Sequence, residues 1–200
     1  MARHVYVITH PDVLIDPAVP VPDWPLSPRG RERMRASLRL PWMAGVRALF
    51  SSTERKAVDG AEILAAALDL PITQIADLGE NDRSSTGYLP KLEFETMADA
   101  FFARPQESVR GWERAIDAQR RIVAAMEEVL RRAPVEGDVA VVSHGGVGAL
   151  YLCHLQGHPI GRDADQPPTN GGNYYAFSAT DRRLLSGWTT IDQNGFISKH

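Results

Sequence analysis

Two short apolar runs, each broken off at a histidine, constrain this chain more than any other feature. Val5-Tyr-Val-Ile8 stops at Thr9-His10-Pro11, and Val139-Ala-Val-Val142 stops at Ser143-His144-Gly-Gly146. Such a run, closed by a turn signal, reads as a buried strand whose carboxyl end leads into a loop or helix. In an open, mostly parallel α/β sheet the strand carboxyl ends share one edge, and that edge is where ligands bind. The two imidazoles are therefore expected to meet in one pocket although the sequence holds them far apart.

The stretches between them alternate strand and helix. Pro11 to Pro25 holds five prolines, which forbid regular helix or central strand, and is expected to be an extended loop leaving the pocket. Ser27-Pro28 is a helix start, with the helix carried from Arg29 to Leu40. Val46–Phe50 reads as a strand, turned by Ser51-Ser-Thr53 into a helix from Glu54 to Leu68. Such a turn presents backbone N–H groups and the positive helix end to an anion.

Leu70–Ile75 is a short strand, and the polar run Asp77–Gly87 reads as a functional loop. A helix is expected over Leu92–Phe102. Ser108 is expected to cap a long helix in which Val109, Trp112, Ile116, Ile122 or Val123, Met126 and Val129 or Leu130 recur at helical spacing. After the His144 strand come a buried helix from Val147 to Leu155 and two strands, Asn173–Phe177 and Arg183–Ile191, joined antiparallel through Thr180-Asp181. The order implies one domain over residues 1–200, an α/β three-layer sandwich with a mostly parallel central sheet flanked by helices.

Composition narrows the class of function. Lys+Arg 22 against Asp+Glu 25 leaves no basic stripe of the kind that nucleic acid or an anionic membrane would need. No apolar stretch has the length of a membrane span. The single cysteine, Cys153, lies in an apolar run and fits a reducing compartment. With no hydrophobic signal core at the amino terminus, a cytoplasmic location is expected. His154 and His158 are spaced like metal ligands, but Gly157 and Pro159 break the helix that would align them.

Five motifs fall in one order along nearly the whole chain: Thr9-His10-Pro11, Leu26-Ser-Pro-Arg-Gly-Arg-Glu32, Ser51-Ser-Thr-Glu-Arg-Lys-Ala57, Leu78-Gly-Glu80 and Val141-Val-Ser-His-Gly-Gly146. This order resembles the histidine phosphatase superfamily, the phosphoglycerate mutase-like proteins. The resemblance implies that His10 is a phosphate acceptor, that Glu80 is the proton donor and that His144 completes the catalytic set. The substrate implied is a small phosphorylated compound, and the chain's length is closer to the phosphatases than to the mutases, which carry longer insertions.

The chemistry is consistent with such a set. A neutral imidazole attacks phosphorus well, and a phosphohistidine divides one difficult displacement into two easier ones. A carboxylic acid over the pocket can protonate the leaving oxygen, and fixed donors must meet the phosphoryl oxygens. None of this calls for a metal or other cofactor.

The departures lie in the phosphate-binding corners. Thr9 stands where the family has arginine, and Lys56 where it has a second one. A guanidinium binds phosphate bidentately, whereas threonine offers a hydroxyl and lysine a point charge. Thr9, Lys56 and the backbone at Gly145 are the expected substrate contacts, with Arg55 or Arg83 restoring charge. Pro11 replaces glycine, and Asp16 stands where asparagine is frequent. A catalytically degenerate member that binds a phosphorylated ligand or a protein partner is the competing expectation.

Overall fold

A computed structural model describes residues 3–192. Six strands form one sheet in the order β3-β2-β4-β1-β5-β6. They are β1 (His4–Thr9), β2 (Val46–Ser51), β3 (Ile72–Gln74), β4 (Asp138–Ser143), β5 (Asn173–Ser178) and β6 (Leu184–Thr190). The helices are α1 (Pro28–Ala36), α2 (Arg55–Leu68), α3 (Lys91–Ala103), α4 (Ala115–Arg132) and α5 (Gly145–Gln156).

β1, β2, β3 and β4 run parallel, and β5 and β6 add antiparallel neighbours beyond β1. The three layers follow from the pleat, because alternate residues of a strand face opposite sides and both sides of this sheet are covered. Val5, Val7, Val139 and Val141 pack with residues of α3, α4 and α5. Tyr6, Ile8, Ala140 and Val142 pack on the other face with Met34 of α1 and Ala57, Ala61 and Leu64 of α2. Among the described residues, no helix is long and apolar enough to cross a membrane.

Strand order fixes the site. β4 lies between β1 and β2, with Thr9 opposite Ser143 and Ser51 opposite Val142. The ladder continues one residue past the strands: the His10 amide donates to the Ser143 carbonyl at 3.1 Å, and Ser52 N–H to the Val142 carbonyl at 3.1 Å. His10, Ser52 and His144 are thus delivered to one edge.

Three sequence expectations need correction. The proline-rich segment does not leave the site. It doubles back through a bridge between Val13 and Leu26, and one turn of 3-10 helix at Val21–Asp23 brings the Val21 carbonyl to 2.9 Å from Lys56 Nζ. The first helix is shorter than expected. Ser27 caps it through Gly30 N–H at 3.0 Å, but it passes into a 3-10 turn at Ser37–Arg39.

Ser108 does not cap the long helix. Arg110 (φ 49) and Gly111 (φ 83) break the chain after a single 3-10 turn, and α4 begins at Ala115. A 3-10 turn repeats every three residues, so Val109 and Trp112 satisfied a helical spacing without belonging to the helix. The turn braces the loop after β3 instead, since the Trp112 indole N–H donates to Thr86 Oγ1 at 2.8 Å.

Candidate active site

His10 is oriented by its own backbone. Its Nδ1 lies 3.0 Å from the Pro11 carbonyl. A carbonyl only accepts, so Nδ1 carries the proton and Nε2 is left with a free lone pair. The His144 ring is 5.2 Å away, centroid to centroid. Burial, then the neighbouring His144 and Lys56, pull the His10 imidazole down to about 3, which keeps it neutral across the physiological range.

That shift has a consequence for stability. The folded-state value lies below that of the unfolded chain, so the stabilisation is full above about pH 6.5 and is lost as pH falls from there towards about 3. His10→Asn is expected to flatten the acid limb of stability in that window by roughly 1 kcal/mol per pH unit. Urea unfolding at intervals from pH 7 to pH 4 measures it.

His144 is fully buried, with Nε2 at 2.7 Å from Ser52 Oγ and 3.5 Å from Glu54 Oε1. Its Nδ1 has no partner among the described residues, and burial lowers its pKa. Glu54, which sequence reasoning missed, links three of the expected residues. One oxygen accepts the Glu80 amide at 2.7 Å, and the other pairs with Lys56 Nζ. Burial pushes the Glu54 carboxyl up, but the charge and hydrogen bond of Lys56 and the Glu80 amide outweigh it and hold the group below the ordinary carboxylate range. Glu54 therefore stands ionised beside Lys56.

Lys56 was expected to face phosphate. It is 3 % exposed and its donors go to Glu54 and the Val21 carbonyl, so its charge is already matched. Arg55 is not brought into the site: it is mostly exposed and pairs at 2.7 Å with Asp59, a buried carboxylate that also holds Arg31 and the Leu26 amide. Thr9 is fully buried and turned sideways. Its hydroxyl donates to Gln166 Oε1 at 2.7 Å and accepts the Asn173 amide at 3.0 Å. It positions a neighbour rather than facing the cavity.

Glu80 sits over the first turn of α5. Its carboxylate accepts Gly146 N–H and Val147 N–H at 3.0 Å each, together with Asn81 N–H at 3.1 Å. A carboxylate at a helix amino end gains from the partial positive charge there. Arg121 braces the loop by donating to the carbonyls of Asp77, Gly79 and Glu80, while pairing with Glu113 at 2.8 Å. Arg83 lies 5.1 Å over the Phe94 ring and 5.7 Å from that of Trp112, a cation–π arrangement without a carboxylate partner among the described residues.

His10, Glu80, Arg83, Phe94, Gly145 and Gln166 line one cavity of about 530 Å³. A second, of about 690 Å³, shares Glu80, Asn81 and Arg83 with it and reaches Val21 and Glu54. Among the described residues, no group of three His, Cys, Asp or Glu side chains is placed to hold a metal ion. The edge thus combines a neutral imidazole with a free lone pair, a second buried imidazole and a carboxylate on the same cavity, the components of nucleophilic and acid–base chemistry.

Comparisons with known proteins speak to family and fold. The model of the histidine phosphatase superfamily (branch 1) matches residues 18–183. Among solved structures, YhfR of Bacillus stearothermophilus superposes with a TM-score of 0.74 at 24% identity, covering 92% of this chain and 95% of its own. A mycobacterial glucosyl-3-phosphoglycerate phosphatase solved with inorganic phosphate superposes with a TM-score of 0.75 at 19% identity, covering 96% and 99%. A protein described as mycobacterial hydrolase 2 gives 0.74 at 18% identity, covering 94% and 88%. At these identities the likeness speaks to the fold. No curated protein matches the chain.

Proposed function

The chain belongs to the histidine phosphatase superfamily (branch 1), and from that premise we propose that it is a phosphatase acting on a small phosphate ester through a phosphohistidine on His10. The observation that carries the reading is the 3.0 Å contact of His10 Nδ1 with the Pro11 carbonyl, which leaves the Nε2 lone pair of a cavity-lining imidazole uncommitted. In the first step Nε2 attacks phosphorus, the P–N bond forms, the P–O bond to the leaving group breaks, and the leaving oxygen takes a proton from Glu80. In the second, water gives one of its own protons to Glu80 and attacks phosphorus, and the P–N bond breaks to release phosphate and neutral His10. His144, held by Ser52, has its ring 5.2 Å from that of His10. The chemistry needs no metal.

The test is hydrolysis of an aryl phosphate at about pH 6 with chelator present, pH 6 being near the unperturbed value of histidine. The expected result is turnover that chelator leaves intact. One observation favours a second reading, a member that binds a phosphorylated ligand or a protein partner without turnover: the Glu54–Lys56 pair takes up the cation at the second arginine position. Saturable phosphate binding without hydrolysis would select it.

A further inference from the structure

We infer that the phosphoryl-binding corner of this site is an uncharged amide, that of Gln166, and that the site consequently selects phosphoryl groups carrying one negative charge rather than two. The inference rests on the phosphoryl-transfer reading above and names the substrate class for it.

The orientation of the Gln166 amide is set by its partners. Oε1 accepts two hydrogen bonds, from Thr9 Oγ1 at 2.7 Å and Asn173 Nδ2 at 3.0 Å. Asn173 is itself fixed by Thr169 Oγ1 at 2.8 Å, and both Thr9 and Asn173 are fully buried. With Oε1 so engaged, Nε2 must be the free end. It has no acceptor among the described residues, and it lies against the α carbon of Gly145, where an added Cβ would come within 2.2 Å of it. Gln166 lines the His10 cavity together with Gly145. Thr9, the residue at the first arginine position, therefore does not bind the anion but aims a neutral donor at it.

Part of the positive charge around the cavity is already matched. The ammonium of Lys56 is matched by Glu54. Arg162 carries three carboxylates, Glu95, Asp99 and Asp165, at 3.0, 2.7 and 2.6 Å. Glu80, also on the cavity, supplies no cation. Arg83 is held against aromatic rings and Lys91 is exposed at the rim. A second uncharged donor stands nearby: Asn81 is 6 % exposed, its Nδ2 has no partner among the described residues, and it lines both cavities. Burying a dianion needs matching cations, whereas neutral amide donors suit a monoanion.

Two sources supply a singly charged phosphoryl group, a phosphodiester or a monoester in its half-protonated form. The probes are dimethyl phosphate and methyl phosphate, titrated calorimetrically at pH 8, where a phosphate monoester with a second pKa of about 6 is a dianion. Dimethyl phosphate is expected to bind at least about tenfold more tightly. Repeating methyl phosphate at pH 5 reads the half-protonated form, which should recover the lost affinity.

Gln166→Glu keeps the oxygen for Thr9 and Asn173 while deleting the donor, and should abolish dimethyl phosphate binding; Gln166→Ala should weaken it about tenfold or more. Glu54→Gln, which releases Lys56, should shift preference towards methyl phosphate. Equal or tighter binding of the dianion by the unaltered protein, indifference of dimethyl phosphate to both Gln166 variants, or absence of binding by either probe would overturn the inference. A charge preference that persists while aryl phosphate turnover proves independent of His10 would overturn the phosphohistidine reading instead.

Discussion

Aryl phosphate turnover is expected to fall by about a thousandfold or more when His10 is replaced by alanine, because the nucleophile is removed outright and no neighbouring group is placed to substitute. His144 is the nearest candidate, but its Nε2 is engaged by Ser52 and lies beside Glu54, and its ring is fully buried. The loss should appear in kcat with the fold intact, since His10 is held neutral and its removal breaks no ion pair among the described residues. Steady-state kinetics beside a thermal melt separates the two effects. Unchanged turnover in His10→Ala would leave the strand-end histidine a structural residue.

The largest expected effect on stability comes from Arg33, 8 % exposed on the inner face of α1. Its guanidinium donates to Asp12 at 2.7 Å, to Asp192 at 3.0 Å, and to the carbonyls of Thr169 and Gly171 at 2.9 and 3.0 Å. It thereby ties α1, the loop after β1, the segment carrying Gln166 and the chain beyond β6. Arg33→Met keeps much of the volume but leaves Asp192 without its cation and Asp12 with Arg29 alone, at 3.8 Å. Breaking such a pair from one side costs about 3 kcal/mol, which in a chain of this size lowers Tm by about 6–12 °C.

The damage should also reach the site. Gly171 (φ +73) packs so closely on the His10 carbonyl that an added Cβ would come within 2.1 Å of it, and Gly172 N–H donates to the same carbonyl at 3.2 Å. Loosening this segment is expected to raise KM in Arg33→Met as well as lower Tm. A melt indistinguishable from the parent would show that the network contributes nothing net.

The parallel sheet and its edge were legible in the sequence because they depend on local signals: apolar runs of strand length, turn residues at their ends, and helices between. These signals placed His10 and His144 together before any coordinates. The charged corners were not legible, for reasons particular to each residue. Within a helix, residues two apart face different ways, yet Glu54 precedes α2 with extended backbone (φ −71, ψ 138) and can turn its carboxylate onto Lys56. Gln166, Asn173 and Arg33 act through contacts between distant segments, and the irregular stretch around Gln166 has no periodicity to read. Arg55 beside Lys56 looked interchangeable with it, but the helix turns the two side chains apart, one to Asp59 and one to Glu54.

The central claim is that His10 Nε2 carries the phosphoryl group during turnover. Rapid mixing with an aryl phosphate, quenching in alkali where phosphohistidine survives, and mass analysis of the peptide containing His10 tests it directly. The account predicts a phosphoryl group on His10 that appears within one turnover, is lost on acidification, and is absent from His10→Ala. Sustained turnover with no phosphoryl group on His10, or a phosphoryl group found on another residue, would contradict it.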